Sequence, residues 1–264
     1  SNSIDFPSTA NISDVKDADN MASNSATMLA TQQSIKAYVD TTTAASGGTS
    51  TASYNGIING DFTAWQRGIA FRAGANDDDT CTASRWRVLS DGNDIVDIVQ
   101  AGGLLASGVT GGAPKYSFAF DVETENKKFG VVQIIESMNC SSLGVVGTGT
   151  VSLSFVAKAS NVSKLDNVKA AVISWAGSAD AVTSDVVAAW NAEGTDPTLA
   201  TNWTYENTPA NLNVTTSDTR YTIENISVDT GTTNNVAVFI WSDVTDTTAG
   251  HVLYIADVQL EPGA

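Results

Sequence analysis

The chain has 264 residues, 42% of them hydrophobic, enough for the core of one large or two smaller domains. Its 29 acidic residues outweigh 13 basic ones, giving a net charge of −16 and a pI near 4.1. Such a surface repels phosphate backbones and anionic lipid, which argues against charge-driven binding to nucleic acid or membrane and suits a soluble protein that works in salty water or outside a cell. No apolar run approaches the length of about 18 residues that a spanning helix needs, so no membrane insertion is expected. No signal-peptide pattern is present, and the first residue is Ser1 rather than Met, as expected of a fragment or a processed chain.

Three zones follow in chain order: residues 1–40, polar and ending in a helix; residues 41–53, a Thr/Ala/Ser/Gly linker flexible by composition; and residues 54–264, a β-domain holding all six tryptophans. In the first zone, "ATQQSIKAYVD" (Ala30 to Asp40) predicts a helix capped by Thr31. Gln32, Ile35 and Val39 fall at i, i+3 and i+7, one narrow coiled-coil-like stripe. A helix of about three turns is marginal alone in water, and the linker after it offers no apolar cover. Copies of the same helix could supply it; the alternative is a frayed helix lying on its own β-domain.

The third zone alternates with period two. Predicted strands are "SRWRVLSD", "DIVDIVQ", "KYSFAFDV", "FGVVQIIE", "TVSLSFVAKA", "NVKAAVISWA", "TRYTIENISV", "NVAVFIWS" and "HVLYIADVQL". In the eighth, Val236, Val238 and Ile240 share one face and Ala237, Phe239 and Trp241 the other. In the last, Val252, Tyr254, Ala256, Val258 and Leu260 alternate with Leu253, Ile255, Asp257 and Gln259. Many short strands between Gly-, Asn- and Asp-rich turns such as "GVTGGAP" and "DTGTTNN" indicate a mainly β chain folded as a sandwich or barrel. One segment breaks the pattern: "SDVVAAWNAEG" (Ser184 to Gly194) has an N-cap serine and a terminal glycine and reads as a short helix.

Residues with chemical potential are few. Cys81 and Cys140 could form a disulfide or stay as two thiols; neither has metal-site spacing. "NDDDT" (Asn76 to Thr80) reads as a solvated acidic loop or a cation holder. "KDAD" (Lys16 to Asp19) lacks the Gly and distal Glu of a calcium loop. His251, the single histidine, starts a strand. No nucleophile elbow, zinc-protease motif or phosphate loop occurs, and no acidic pair stands in a catalytic context, so no catalytic residues are assigned and a non-enzyme is expected.

Sugar sites need an aromatic platform for the C–H face and polar groups for the hydroxyls. Trp203 and Tyr205 in "ATNWTYEN" share a strand face beside Asn202, Glu206 and Asn207. With Trp190 they are the candidate glycan-binding residues; the alternative is that they staple this middle segment onto the sandwich. Trp65, Trp86 and Trp241 read as core.

Two stretches carry a resemblance. "DVKDADNMASNSATMLATQQSIKAYVD" (Asp14 to Asp40) closely resembles a segment common in phage tail-fibre proteins. "NGIINGDFTAWQRG", "ASRWRV", "SLSFVAKAS" and "LYIADVQLEPG" resemble the pieces of a jelly-roll module widespread in phage tail proteins and similar to carbohydrate-binding modules, with residues 176–213 divergent. The resemblance implies a jelly-roll β-sandwich preceded by a short helical trimerisation segment. It implies a homotrimer with Ile35, Tyr38 and Val39 near the axis or the inter-chain seam; the stripe alone does not choose between two strands and three. It implies a virion location in a tail fibre, contact with other tail proteins, and binding of a host cell-surface polysaccharide or glycoconjugate. The alternatives are a structural virion connector and the binding module of a glycan-active enzyme. Related modules hold a structural calcium, for which Asp61 and Asp257 are the matching carboxylates; the alternative is that Asp61 caps a turn and Asp257 faces solvent or another strand.

Overall fold

A computed structural model describes residues 14–17, 28–45, 54–102, 115–145, 149–228, 231–243 and 248–263. The "KDAD" stretch beyond Asp17, residues 46–53 of the linker and the Gly-rich turn at 108–114 lie outside the described residues. Among those described, no helix is long and apolar enough to cross a membrane. The chain divides into two units, Ser1–Ala52 and Ser53–Ala264.

In the first unit, β1 (Asp14–Lys16) pairs in parallel with β2 (Met28–Ala30), and α1 (Gln32–Ala45) follows at once. Thr31 caps α1: the Ser34 amide donates to its hydroxyl oxygen at 3.0 Å. Asp17, just past β1, accepts from the hydroxyls of Thr31 at 2.6 Å and Ser34 at 2.8 Å. These bonds, Thr31's the larger effect, hold its carboxyl below the usual range. The helix runs past Asp40, where the sequence pattern places its end. Ser34 is fully buried, whereas Ile35, Tyr38 and Val39 are 50%, 43% and 50% exposed.

The second unit holds β3 (Ala70–Phe71), β4 (Thr80–Cys81), β5 (Arg87–Ser90), β6 (Val96–Gly102), β7 (Tyr116–Val122), β8 (Phe129–Ile135), α2 (Ser137–Ser142), β9 (Gly149–Ala159), α3 (Val162–Leu165), β10 (Val168–Trp175), β11 (Val187–Ala189), β12 (Thr198–Leu199), β13 (Trp203–Tyr205), β14 (Thr219–Val228), β15 (Asn235–Ser242) and β16 (Val252–Pro262). Sheet I has the order β14-β9-β16-β7-β6-β3 and sheet II the order β13-β10-β15-β8-β5-β4; every pair is antiparallel. Strands β7–β10 and β13–β16 alternate between the sheets except for the step from β10 to β13. That winding is a jelly roll.

The two sheets pack face to face over one core. Phe62, Trp86, Phe118, Phe120, Phe129 and Phe155 fill it without measurable exposure. Period two explains most of it: Val151, Leu153 and Phe155 of β9 point inward, as do Val236, Val238 and Ile240 of β15. Strand β16 departs from simple alternation. Leu253 and Ile255 face the core, and so do Val258 and Leu260. Asp257 adopts φ +48°, and the pairing with β9 shifts register between Ala256 and Gln259, so the bulge moves the inward face by one residue.

A second apolar cluster lies on the outer face of sheet II. Ala171, Ile173 and Trp175 of β10 and Ala237, Phe239 and Trp241 of β15 meet Val186, Val187 and Trp203 from the middle segment, which lies over them. Residues 184–194 are not helical. Asp185 accepts from the Val187 amide at 3.0 Å, and β11 pairs with β12, because two adjacent β-branched valines bury best in an extended strand. The segment is also fastened by ions. Lys128 and Asp243, both buried, pair at 2.5 Å; Lys169 contacts Asp243 at 3.1 Å and Asp196 at 2.7 Å. Lys128 donates to the Ala192 and Thr195 carbonyls, and the Gly194 amide donates to Asp243.

Candidate binding groove

The middle segment covers β10 and β15 but leaves the β4–β5–β8 side of the same outer face accessible as a groove of about 330 Å³. Two loops build it, and both belong to the stretches quoted above: "NGDFTAWQRG" before β3 and "ASRW" between β4 and β5. Asn59 joins them. Its side-chain amide donates to the carbonyls of Ala64 at 3.0 Å and Ser84 at 3.1 Å, and its oxygen accepts from the Ala64 amide at 2.8 Å. The Ser84 amide bonds the Ala64 carbonyl, and the buried Trp86 indole donates to the Asn59 carbonyl at 3.0 Å. The Trp65 indole bonds the Phe62 carbonyl, and its ring stacks on Phe118.

Two glycines make this packing feasible. A Cβ on Gly60 would lie 2.0 Å from the Val258 carbonyl oxygen, and Gly68 turns the chain after Arg67 at φ +124°. Arg85 itself sits at φ +74°, a conformation rare for any residue with a side chain.

The groove is lined by Val132, which is buried, and the partly exposed Ile134 of β8, and by Arg67, Arg85 and Arg87. These are three of the chain's five arginines, gathered in a protein of net charge −16. Arg85 pairs with Glu136 at 2.8 Å; Arg87 pairs with Asp79 at 2.9 Å and donates to its carbonyl at 2.7 Å. The other oxygen of Asp79 accepts from Ser184 at 2.7 Å, so the acidic loop is tied down rather than solvated; its neighbour Asp78 accepts from the Ser90 amide. Arg67 is exposed and has no ion pair among the described residues. Beside the groove, the hydroxyls of Thr82 and Ser84 are buried with no hydrogen-bond partner, so their bonding capacity is unused. Cys81 also lines the groove, whereas Cys140 is buried; both are free thiols.

The residues singled out in the sequence lie elsewhere. Trp203 is 5% exposed, packs on Trp175 with ring centroids 5.3 Å apart, and donates to the Thr183 carbonyl. Tyr205, half-buried, packs on Trp241 and donates to the Pro197 carbonyl; burial pushes its phenol upward. Trp190 packs on Phe239. The three share one cluster, where they hold the middle segment to sheet II.

Asp61 and Asp257, the candidate calcium ligands, each have partners within the protein. Asp61 accepts from the Thr63 amide and hydroxyl in a turn of its own, and Asp257 is ion-paired to the Arg220 guanidinium. Among the described residues, no group of three or more His, Cys, Asp or Glu is placed to hold a metal. Sequence pattern assigns no binding role to the groove residues. Their signal was the concentration of scarce arginines in two short stretches.

Sheet order and groove together define a jelly-roll β-sandwich with one outer face half covered and half open. No protein-family model matches the sequence, and no curated protein matches it. Among solved structures, the chain is similar to the enzymatically active domain of bacteriophage CBA120 tailspike protein 4 (13% identity, TM-score 0.40, 79% of this chain and 21% of that one). It is also similar to TmCBM61 in complex with β-1,4-galactotriose (18% identity, TM-score 0.39, 79% of this chain and 98% of that one). A third is the "putative sugar binding protein" from Bacteroides thetaiotaomicron (16% identity, TM-score 0.42, 79% of this chain and 99% of that one).

Proposed function

We propose that this chain is a glycan-binding adhesion module of a phage tail fibre, working as a homotrimer on a host cell-surface glycan. The observation that carries the reading is the groove: the partly exposed Ile134 for the C–H face of a sugar ring, with guanidinium and amide donors around it for its oxygens. The volume lies at the lower end of small-ligand sites, about 300–1,000 Å³. The trimer rests on the resemblance of residues 14–40 and on the apolar side chains Ile35, Tyr38 and Val39 that α1 presents outward. Three weak sites on one stem would gain avidity. We read the module as a binder rather than a hydrolase, because the carboxylates beside the groove, Glu136 and Asp79, are each engaged by an arginine.

The test is a glycan array probed with the whole chain and with Gln66→Trp, which adds bulk at the groove mouth on an exposed loop. Binding by the parent chain and its loss in the variant are expected. Absence of any glycan signal from the parent chain sinks the reading and favours a structural connector. Sedimentation of the parent chain beside Ile35→Asp/Val39→Asp tests the trimer; a parent chain that is already monomeric at micromolar concentration overturns it.

A further inference from the structure

Resting on that glycan reading, we infer that the groove takes a sugar bearing a carboxylate, and that Arg67 is the residue that grips it. The argument is one of charge and geometry. A net charge of −16 repels anions at long range, so an acidic ligand needs a local cationic site to overcome that field. The chain supplies one by placing Arg67, Arg85 and Arg87 around a single groove.

The charges balance in an informative way. Arg85 is paired with Glu136, and Arg87 with Asp79. Three guanidinium groups and two carboxylates leave one positive charge, on Arg67. A single carboxylate matches it. A phosphomonoester, carrying more charge and meeting Glu136 and Asp79 nearby, is the poorer match; a singly charged phosphodiester is the competing ligand that the teichoic acid gel tests. The two internal pairs also fix Arg85 and Arg87 in place. Each pair occupies one terminal nitrogen, so the remaining N–H groups of the fork stay available for sugar oxygens.

Geometry agrees. A guanidinium binds a carboxylate through two parallel N–H bonds, which orients a ring carboxylate in one plane. Ile134, partly exposed in the same groove, offers an apolar surface for the C–H face of that ring. Gln66, next to Arg67 and on the same rim, has an amide suited to a neighbouring hydroxyl. Arg85 holds an uncommon left-handed backbone conformation at this site, the kind of strain that a structure keeps where a side chain must be aimed.

The experiment is affinity electrophoresis of the whole chain through gels holding polygalacturonate, alginate or hyaluronate, each beside its carboxyl-reduced form, with a teichoic acid gel as the phosphate arm. At least one acidic polymer should retard the protein at least roughly tenfold more strongly than its reduced form, and added salt should weaken the effect. Arg67→Ala should erase the preference without moving the unfolding midpoint, since the side chain is exposed and unpaired. Arg67→Lys should restore only part of it, because a lysine lacks the planar fork. Equal retardation by acidic and reduced polymers, or retardation by teichoic acid alone, overturns the carboxylate inference while leaving glycan binding intact. No retardation by any polymer, together with a blank glycan array, overturns both.

Discussion

The indole N–H of Trp86 donates to the backbone carbonyl of Asn59 at 3.0 Å, while the side chain of Asn59 reaches the loop just before Trp86. A core tryptophan and a turn asparagine thus lock together the two loops that wall the groove. Asn59 itself sits at φ +59°, which asparagine tolerates better than most residues. Asn59→Ala removes three hydrogen bonds; the Ala64 carbonyl keeps the Ser84 amide, but the part-buried Ser84 carbonyl loses the Asn59 donor. A loss of about 1–3 kcal/mol in urea unfolding is expected, with weaker ligand binding. An unchanged midpoint would show that the loops hold by packing alone.

The Lys128–Asp243 pair predicts a larger effect. Lys128→Met removes one cation from a carboxylate that is only 3% exposed as a residue, leaving Lys169 to compensate alone. Breaking a buried pair from one side costs about 3–5 kcal/mol. The double variant Lys128→Met/Asp243→Leu should recover part of that loss in the same measurement, because the stranded charge is gone.

Trp203→Ala opens a cavity between the middle segment and sheet II. A destabilisation of about 3–5 kcal/mol is expected, with new protease cleavage between residues 177 and 212. Tight folding with lost glycan binding would instead return Trp203 to the site.

The strand pattern was largely legible before the structure. Strands β14 and β15 span the very residues that period two marks, and both faces of β15 sort as read: Val238 inward, Phe239 outward. What failed has physical causes. The left-handed turn at Asp257 shifts the phase of β16, and alternation counting assumes that no such bulge occurs. Ser184 and Gly194 resemble helix caps, but Val186 and Val187 are captured by an apolar sheet face that no local rule reveals. The same sheet face holds Trp190, Trp203 and Tyr205, in line with the alternative that they staple the middle segment onto the sandwich. The groove was hidden because its arginines come from two loops joined only in three dimensions.

Asp78 and Asp185 give a pH signature. Burial, and after it the repulsion of nearby carboxylates, raises both above the usual aspartate value. The folded state then takes up protons at a higher pH than the unfolded chain. Their ionisation costs stability above the folded pKa, and the cost is relieved as pH falls through it. Asp185→Asn keeps the oxygen that caps the Val187 amide and removes the charge. Its urea midpoint should exceed the parent's at pH 7, and the difference should vanish below the normal carboxylate range. A lower midpoint at pH 7 would refute this.

The thiols should separate cleanly. Cys140 is 1% exposed and burial pushes its pKa up to about 11, so it resists alkylation at pH 8. Cys81 lines the groove. Iodoacetamide should modify one thiol of the folded protein, identified by mass as Cys81, and a bound glycan should slow the reaction. Equal labelling of both would contradict the burial of Cys140.

One further consequence comes from the way the β-domain closes on itself. The Gly56 amide bonds the Leu260 carbonyl, the Leu260 amide bonds the Asn55 side chain, and the Val258 amide bonds the Gly60 carbonyl. The first residues of the domain are therefore zipped against its final strand, which lies between β9 and β7 in sheet I. Residues 55–60 and β16 thus share one seam, and a short bridge from residue 263 to residue 54 is expected to leave both sheets and the groove in register.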